Sequence, residues 1–145
     1  PHYGLDDPQV QRILNNTAAS HIALGNFEDA TALLTTLLAH VESLPERVSV
    51  RLQICEIALR QADLPAADAA LETLGIEGLQ ELGPQEFSYF LLRALIDLRQ
   101  AKLEPATLDR LHRARSTAPF TANQIEAWLV DLALTPLERT ALQID

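Results

Sequence analysis

One cysteine, one lysine, no methionine and few aromatic residues set the first limits on this 145-residue chain. Cys55 stands alone, so no internal disulfide can form and no cluster of thiolates can hold a structural zinc. Nothing points to an oxidising compartment, and a cytoplasmic location is expected. No apolar run approaches the ~18 residues of a membrane span, so no membrane contact is expected. The opening PHYGLDDPQ is polar and turn-rich, unlike a signal peptide. Methionine is missing even at position 1, and we read the chain as a piece of a larger protein rather than one trimmed of its initiator. His2, His21, His40 and His112 are scattered, and no HExxH or CxxC spacing occurs, so metal-dependent hydrolysis has no support. The five glycines are dispersed, and no Gly-rich phosphate loop exists. No enzyme activity, metal or cofactor is expected. His21 falls on an apolar helix face as a packed, hydrogen-bonded residue, and Cys55 reads as a small buried hydrophobe.

Positive charge is also scarce. Acidic residues number 20 against 11 basic, a net charge of −9. Residues 1–90 hold 13 Asp/Glu and 4 Arg, whereas residues 91–145 hold 7 of each sign. Nucleic acid binding needs a positive footprint, so none is expected from this domain alone. A local exception is the cluster Arg110, His112, Arg113 and Arg115, which reads as a solvated helix face or else as the contact for an acidic group.

Leu and Ala dominate the 48% of apolar residues, and both favour helices. The helix punctuation is legible. Asp7 and Pro8 read as an N-cap followed by proline in the first turn. Gly25 stops that helix, and Asn26 is placed to cap the next. Ser43 with Glu46, and Thr121 with Gln124, have capping-box spacing. Asp63 with Pro65, Pro84, Pro105, and Thr135 with Pro136 open further helices. Gly75 stops the fourth, and Gly78 and Gly83 bound a short connection. The fold class is therefore all-α.

The sequence repeats. Gly25-Asn-Phe-Glu-Asp-Ala30 aligns with Ala62-Asp-Leu-Pro-Ala-Ala67 and Ala101-Lys-Leu-Glu-Pro-Ala106. Seven residues before each start stand Ala18, Cys55 and Ala94, all small, with spacings of 37 and 39. Units of this length, each one helix hairpin, mark stacked helical repeats, because one hairpin cannot bury its own apolar stripes. Ala18, Ala30, Ala67 and Ala106 are expected at close helix crossings. With Ala18, Gly25, Phe27 and Ala30 in these places, residues 8–115 resemble the tetratricopeptide (TPR) repeat family. Ala62 and Ala101 depart from its turn glycine, and Leu64 and Leu103 from its aromatic. The resemblance implies a right-handed solenoid of antiparallel hairpins across a single domain, residues 1–145. Its hairpins would lie at about 8–42, 44–75 and 84–115, with capping helices at about 121–143, where Trp128 anchors the last hairpin.

In that family the first helices of the hairpins line a concave groove. Carried over, the register implies groove residues Arg12, Asn15, Leu52, Glu56, Arg60, Leu91, Leu95 and Arg99, with Ser88 beside them. Some relatives grip a peptide's C-terminal carboxylate with Lys and Asn. Arg12, Asn15 and Asn16 echo that set while Ala19, Leu52 and Leu92 do not, so that activity is not carried over. The implied function is an adaptor or scaffold module, part of a larger bacterial protein, that binds a protein or peptide. A secretion-type chaperone for an aggregation-prone helix is a second reading. Leu134-Thr-Pro-Leu-Glu-Arg139, followed by Ala141 and Leu142, resembles the opening of the output domain in LuxR-type transcriptional regulators, so the ligand-sensing region of such a regulator is a third.

Overall fold

The computed structural model describes residues 4–74 and 82–144. Among the described residues the chain forms eight α-helices and one 3-10 turn, with no strand. The helices are α1 (Pro8–Ala23), α2 (Phe27–His40), α3 (Leu44–Arg60) and α4 (Leu64–Glu72). After the 3-10 turn Gly83–Gln85 come α5 (Glu86–Arg99), α6 (Pro105–Thr117), α7 (Ala122–Asp131) and α8 (Pro136–Leu142). Helices α1 and α2, α3 and α4, and α5 and α6 pack along each other as successive pairs. The expected stop at Gly75 and the connection through Gly78 lie outside the described residues.

Several caps follow the sequence. The Asp7 carboxylate accepts from the Gln9 amide at 2.8 Å, and Asp63 accepts from Ala66 at 3.1 Å. Complete capping boxes form at Thr121 with Gln124 and at Thr135 with Glu138, satisfying donors that a helix start leaves open. Asn26 and Ser43 precede their helices but make no side-chain cap hydrogen bond, contrary to expectation. Beside Ser43, Arg47 Nη1 reaches back to the Val41 carbonyl at 3.2 Å, tying the start of α3 to the end of α2.

Helix endings repeat one device. Gly25, Ala62, Ala101, Ala133 and Gln143 all take the left-handed conformation, with φ of 78°, 59°, 58°, 57° and 56°. At each, the residue's own amide bonds a carbonyl three positions back, and the next amide bonds one five positions back. Asn26 to His21 is 2.8 Å, Asp63 to Ala58 2.8 Å, and Lys102 to Asp97 2.8 Å. This is the Schellman pattern, which closes the last carbonyls of a helix. Ala62 and Ala101, aligned with Gly25 by the repeat, thus do the work of glycine with a Cβ attached.

Two apolar clusters share α3. Val50 and Ile57 face Ala18, Ile22, Ala30, Leu34 and Leu37 of the first pair. Val48, Leu52, Cys55 and Leu59 face the larger cluster, centred on α5. Ala18, Ala30, Ala67, Cys55 and Ala94 are fully buried, as expected of crossing positions. Ala106 is a correction, because it is exposed. Helices α2 and α4 begin two residues after their left-handed turn residue, but α6 begins four after Ala101. The fourth helical position is therefore Leu108, which packs on the core in the place expected of Ala106.

A Cβ in the left-handed region costs about 1–2 kcal/mol, more than the about 0.4–1 kcal/mol by which glycine loosens the unfolded chain. Ala62, Ala101 and Ala133 are exposed and lose no packing on truncation. Each Ala→Gly change should therefore raise stability by roughly 0.5–1 kcal/mol in urea unfolding. Ala30→Leu, at a fully buried crossing, should lower it by about 1–3 kcal/mol.

Candidate functional site

The helices α1, α3, α5 and α7 bring polar residues to one face. Asn15 of α1 accepts a hydrogen bond from the Gln53 carboxamide of α3 at 2.7 Å. Glu56 of α3 accepts from the indole N–H of Trp128 in α7 at 2.8 Å, a link across 72 residues of chain. Between α3 and α7 lies α5, which brings Ser88 to this face over buried Leu92. Three adjoining depressions meet at Glu56. One, about 390 Å³, is bordered by Ser88, Phe120, Gln124, Ile125 and Trp128. Another runs over Ser49, Leu52, Gln53, Gln85 and Leu92. The third is walled by Ala19, Ile22 and Ala23 of α1, Arg60 of α3 and Asp131 of α7.

Trp128 is held from two sides. Its ring meets buried Phe87 edge-on at 6.3 Å between centroids, and Phe87 in turn meets Phe120 at 6.3 Å. Trp128 thus packs α7 onto α5 while its N–H fixes Glu56. Burial pushes the Glu56 carboxyl up from its ordinary value. The Trp128 hydrogen bond and the nearby Arg60 pull the other way, and Asp131 adds a further upward push. Arg60 does not pair with Glu56. Its guanidinium lies over the Phe27 ring, 5.1 Å from the centroid. The Cys55 thiol, fully buried behind this face, is pushed up to about 12 by desolvation, so it holds its proton and is no nucleophile. No group of three or more His, Cys, Asp or Glu suited to a metal ion occurs among the described residues.

The expected groove residues divide. Asn15, Leu52, Glu56 and Arg60 come together on this face, with Ser88. Arg12 borders a neighbouring cavity of about 190 Å³ between α1, α2 and α3, alongside Asn15, Glu46 and Ser49. Leu91 and Leu95 are corrections: both are fully buried in the core and touch no groove. Helix α5 is buried on nearly every side, its polar line Glu86, Arg93 and Asp97 is taken up by ion pairs, and the partly exposed position it brings to this face is Ser88, with buried Leu92 beneath. Arg99 is a correction too, since its guanidinium is committed to Glu138 at 2.7 and 3.2 Å. His21 is half-buried as expected, but its Nδ1 has no hydrogen-bond partner. Sequence reasoning missed Phe120 and Gln124 as parts of the face, because α7 reads as a cap rather than as a groove wall. The Thr121–Gln124 capping box, which fixes where α7 starts, was the available signal.

Comparison with protein-family models, curated proteins and solved structures finds no match for this chain.

A carboxyl whose folded pKa is raised contributes stability that is present below its unfolded value, near 4.3, and is lost as pH rises through the folded value. Glu56→Gln keeps an acceptor for Trp128 and removes that charge. It should match the parent in acid and be the more stable of the two at pH 7, as read by urea midpoints from pH 4 to 8. Trp128→Ala removes both the hydrogen bond and the aromatic packing, and should cost about 3 kcal/mol.

Proposed function

We propose that this chain is a protein–protein interaction module, a TPR-like right-handed solenoid that binds a peptide or helix on the face centred on Glu56. The carrying observation is the convergence of three depressions on one carboxylate, with apolar walls (Leu52, Leu92, Ile125) and polar groups (Gln53, Ser88, Gln124) interspersed. Such a mixture of apolar surface and a few oriented polar groups suits a peptide side chain better than a reaction. The repeated left-handed turns and the small residues at crossings support the solenoid reading. In this reading the module is a cytoplasmic scaffold within a larger bacterial protein.

The chaperone reading uses the same face for an apolar helix. The regulator reading finds less support. The Thr135 to Leu142 segment packs into this domain, with Leu142 and Ile144 fully buried, Glu138 bound to Arg99, and the Leu142 carbonyl 2.9 Å from His112 Nε2. These contacts weigh against the regulator reading.

Panning a random peptide library against the folded chain should enrich binders. Backbone amide shifts on adding an enriched peptide should centre on Leu52, Glu56, Ser88 and Trp128. A footprint confined to α2 and α6 would overturn the proposal. With a net charge of −9, the chain should show no measurable affinity for duplex DNA at physiological salt in a fluorescence anisotropy titration.

A further inference from the structure

The carboxylates of this protein are unequally served. Asp68 and Asp97 clasp Arg93 at 2.6 and 2.8 Å, Glu138 holds Arg99, Glu126 holds Arg139, and Glu86 lies 3.6 Å from Arg110. Glu56 is half-buried, yet it has no ion-pair partner among the described residues. Its one described hydrogen bond is the Trp128 N–H to Oε1, and no described donor reaches Oε2. The surroundings are short of donors as well. The side-chain oxygens of Gln53 and Gln85, which border the same cleft, are sealed from water without a hydrogen-bond partner. Asp131 stands near with a second negative charge, while the nearest cation, Arg60, is occupied with Phe27. Phe120 and Trp128 add two aromatic rings to the walls.

Resting on the peptide-binding reading, we propose that the cleft between α3, α5 and α7 takes a single basic side chain, Lys or Arg, of a peptide partner. The cationic head bonds the open oxygen of Glu56, and its aliphatic stem lies along Leu52, Leu92 and the aromatic walls. Three features support this occupant. An unpaired, partly desolvated carboxylate is costly until a cation arrives. Aromatic faces and acceptor oxygens both favour cationic donors. The acidic balance of residues 1–90 draws positive partners towards the face. An acidic or C-terminal carboxylate partner would meet like charge there.

The test is to pan one random 12-residue peptide library against the parent chain, Glu56→Gln and Ser88→Arg, with urea midpoints confirming that each is folded. The parent should enrich peptides with Lys or Arg recurring at one position. Those peptides should bind Glu56→Gln about tenfold more weakly or worse. Ser88→Arg, which supplies the cation from within the chain, should lose them, and salt should weaken the parent's binding. Citrulline or norleucine at the recurring position should cost as much as Glu56→Gln. Enriched peptides with no basic preference, or with equal affinity for Glu56→Gln, would overturn the basic-side-chain site and leave the interaction module standing. A parent that enriches no peptide at all would sink both.

Discussion

Helix α5 has no fully exposed residue, and eight of its side chains, from Phe87 to Ile96, are buried. A helix buried on nearly every side exists in water only if other elements surround it. Helices α3, α4, α6 and α8 all pack on it, and Trp128 of α7 meets its Phe87. This explains why short α8 and the segment just beyond it carry fully buried side chains, Leu142 and Ile144. It also explains the one charged group α5 holds near its middle. Arg93 pays for its desolvation through Asp68 of α4 and Asp97 one turn on, and their hydrogen bonds outweigh burial, raising its pKa. Of the two carboxylates only Asp68 lies on another helix, so the Arg93–Asp68 pair ties α4 to α5.

The turns were legible because they follow backbone rules that act over five or six residues. Gly25 marks a left-handed stop from composition alone. Ala62 and Ala101 carry no such mark and emerge only when the repeat aligns them with Gly25. Ala133 and Gln143 lie outside that alignment and passed unseen. The same locality explains the errors. Ser43 with Glu46 has the spacing of a capping box, but Arg47 reaches the end of α2 there instead. Ala106 fits the repeat letter by letter, yet Glu104 is extended and moves the helix start two residues later. A shift of two residues turns a helix by about 200°, which carries a buried position to the surface.

The face around Glu56 was legible on α3 and not on α5. Helix α3 shows Glu56 and Arg60 a turn apart among apolar neighbours, so its outward line is visible. On helix α5 the polar line of Glu86, Arg93 and Asp97 is taken up by ion pairs with α4 and α6, and a register taken through Leu91 and Leu95 runs along its buried side. The role of Trp128 divides in the same way. Its anchoring function follows from its size and place, whereas the bond to Glu56, 72 residues away, depends on where α7 comes to rest against α3, which no local pattern encodes.

That contact between α7 and α3 sets the surroundings of the carboxylate. Were α7 farther from α3, Glu56 would stand in open water with an ordinary affinity for protons, and a passing cation would gain little from it. With Trp128 against it, one oxygen is fixed and the other is held on a concave surface that water reaches only in part. Low-dielectric walls strengthen a charge interaction in such a place. The ion pairs at Arg93 and Arg99 spend their charge inside the fold, joining α4 to α5 and α5 to α8. Glu56 joins α3 to α7 through a neutral N–H, so the link is made and the negative charge remains for another molecule.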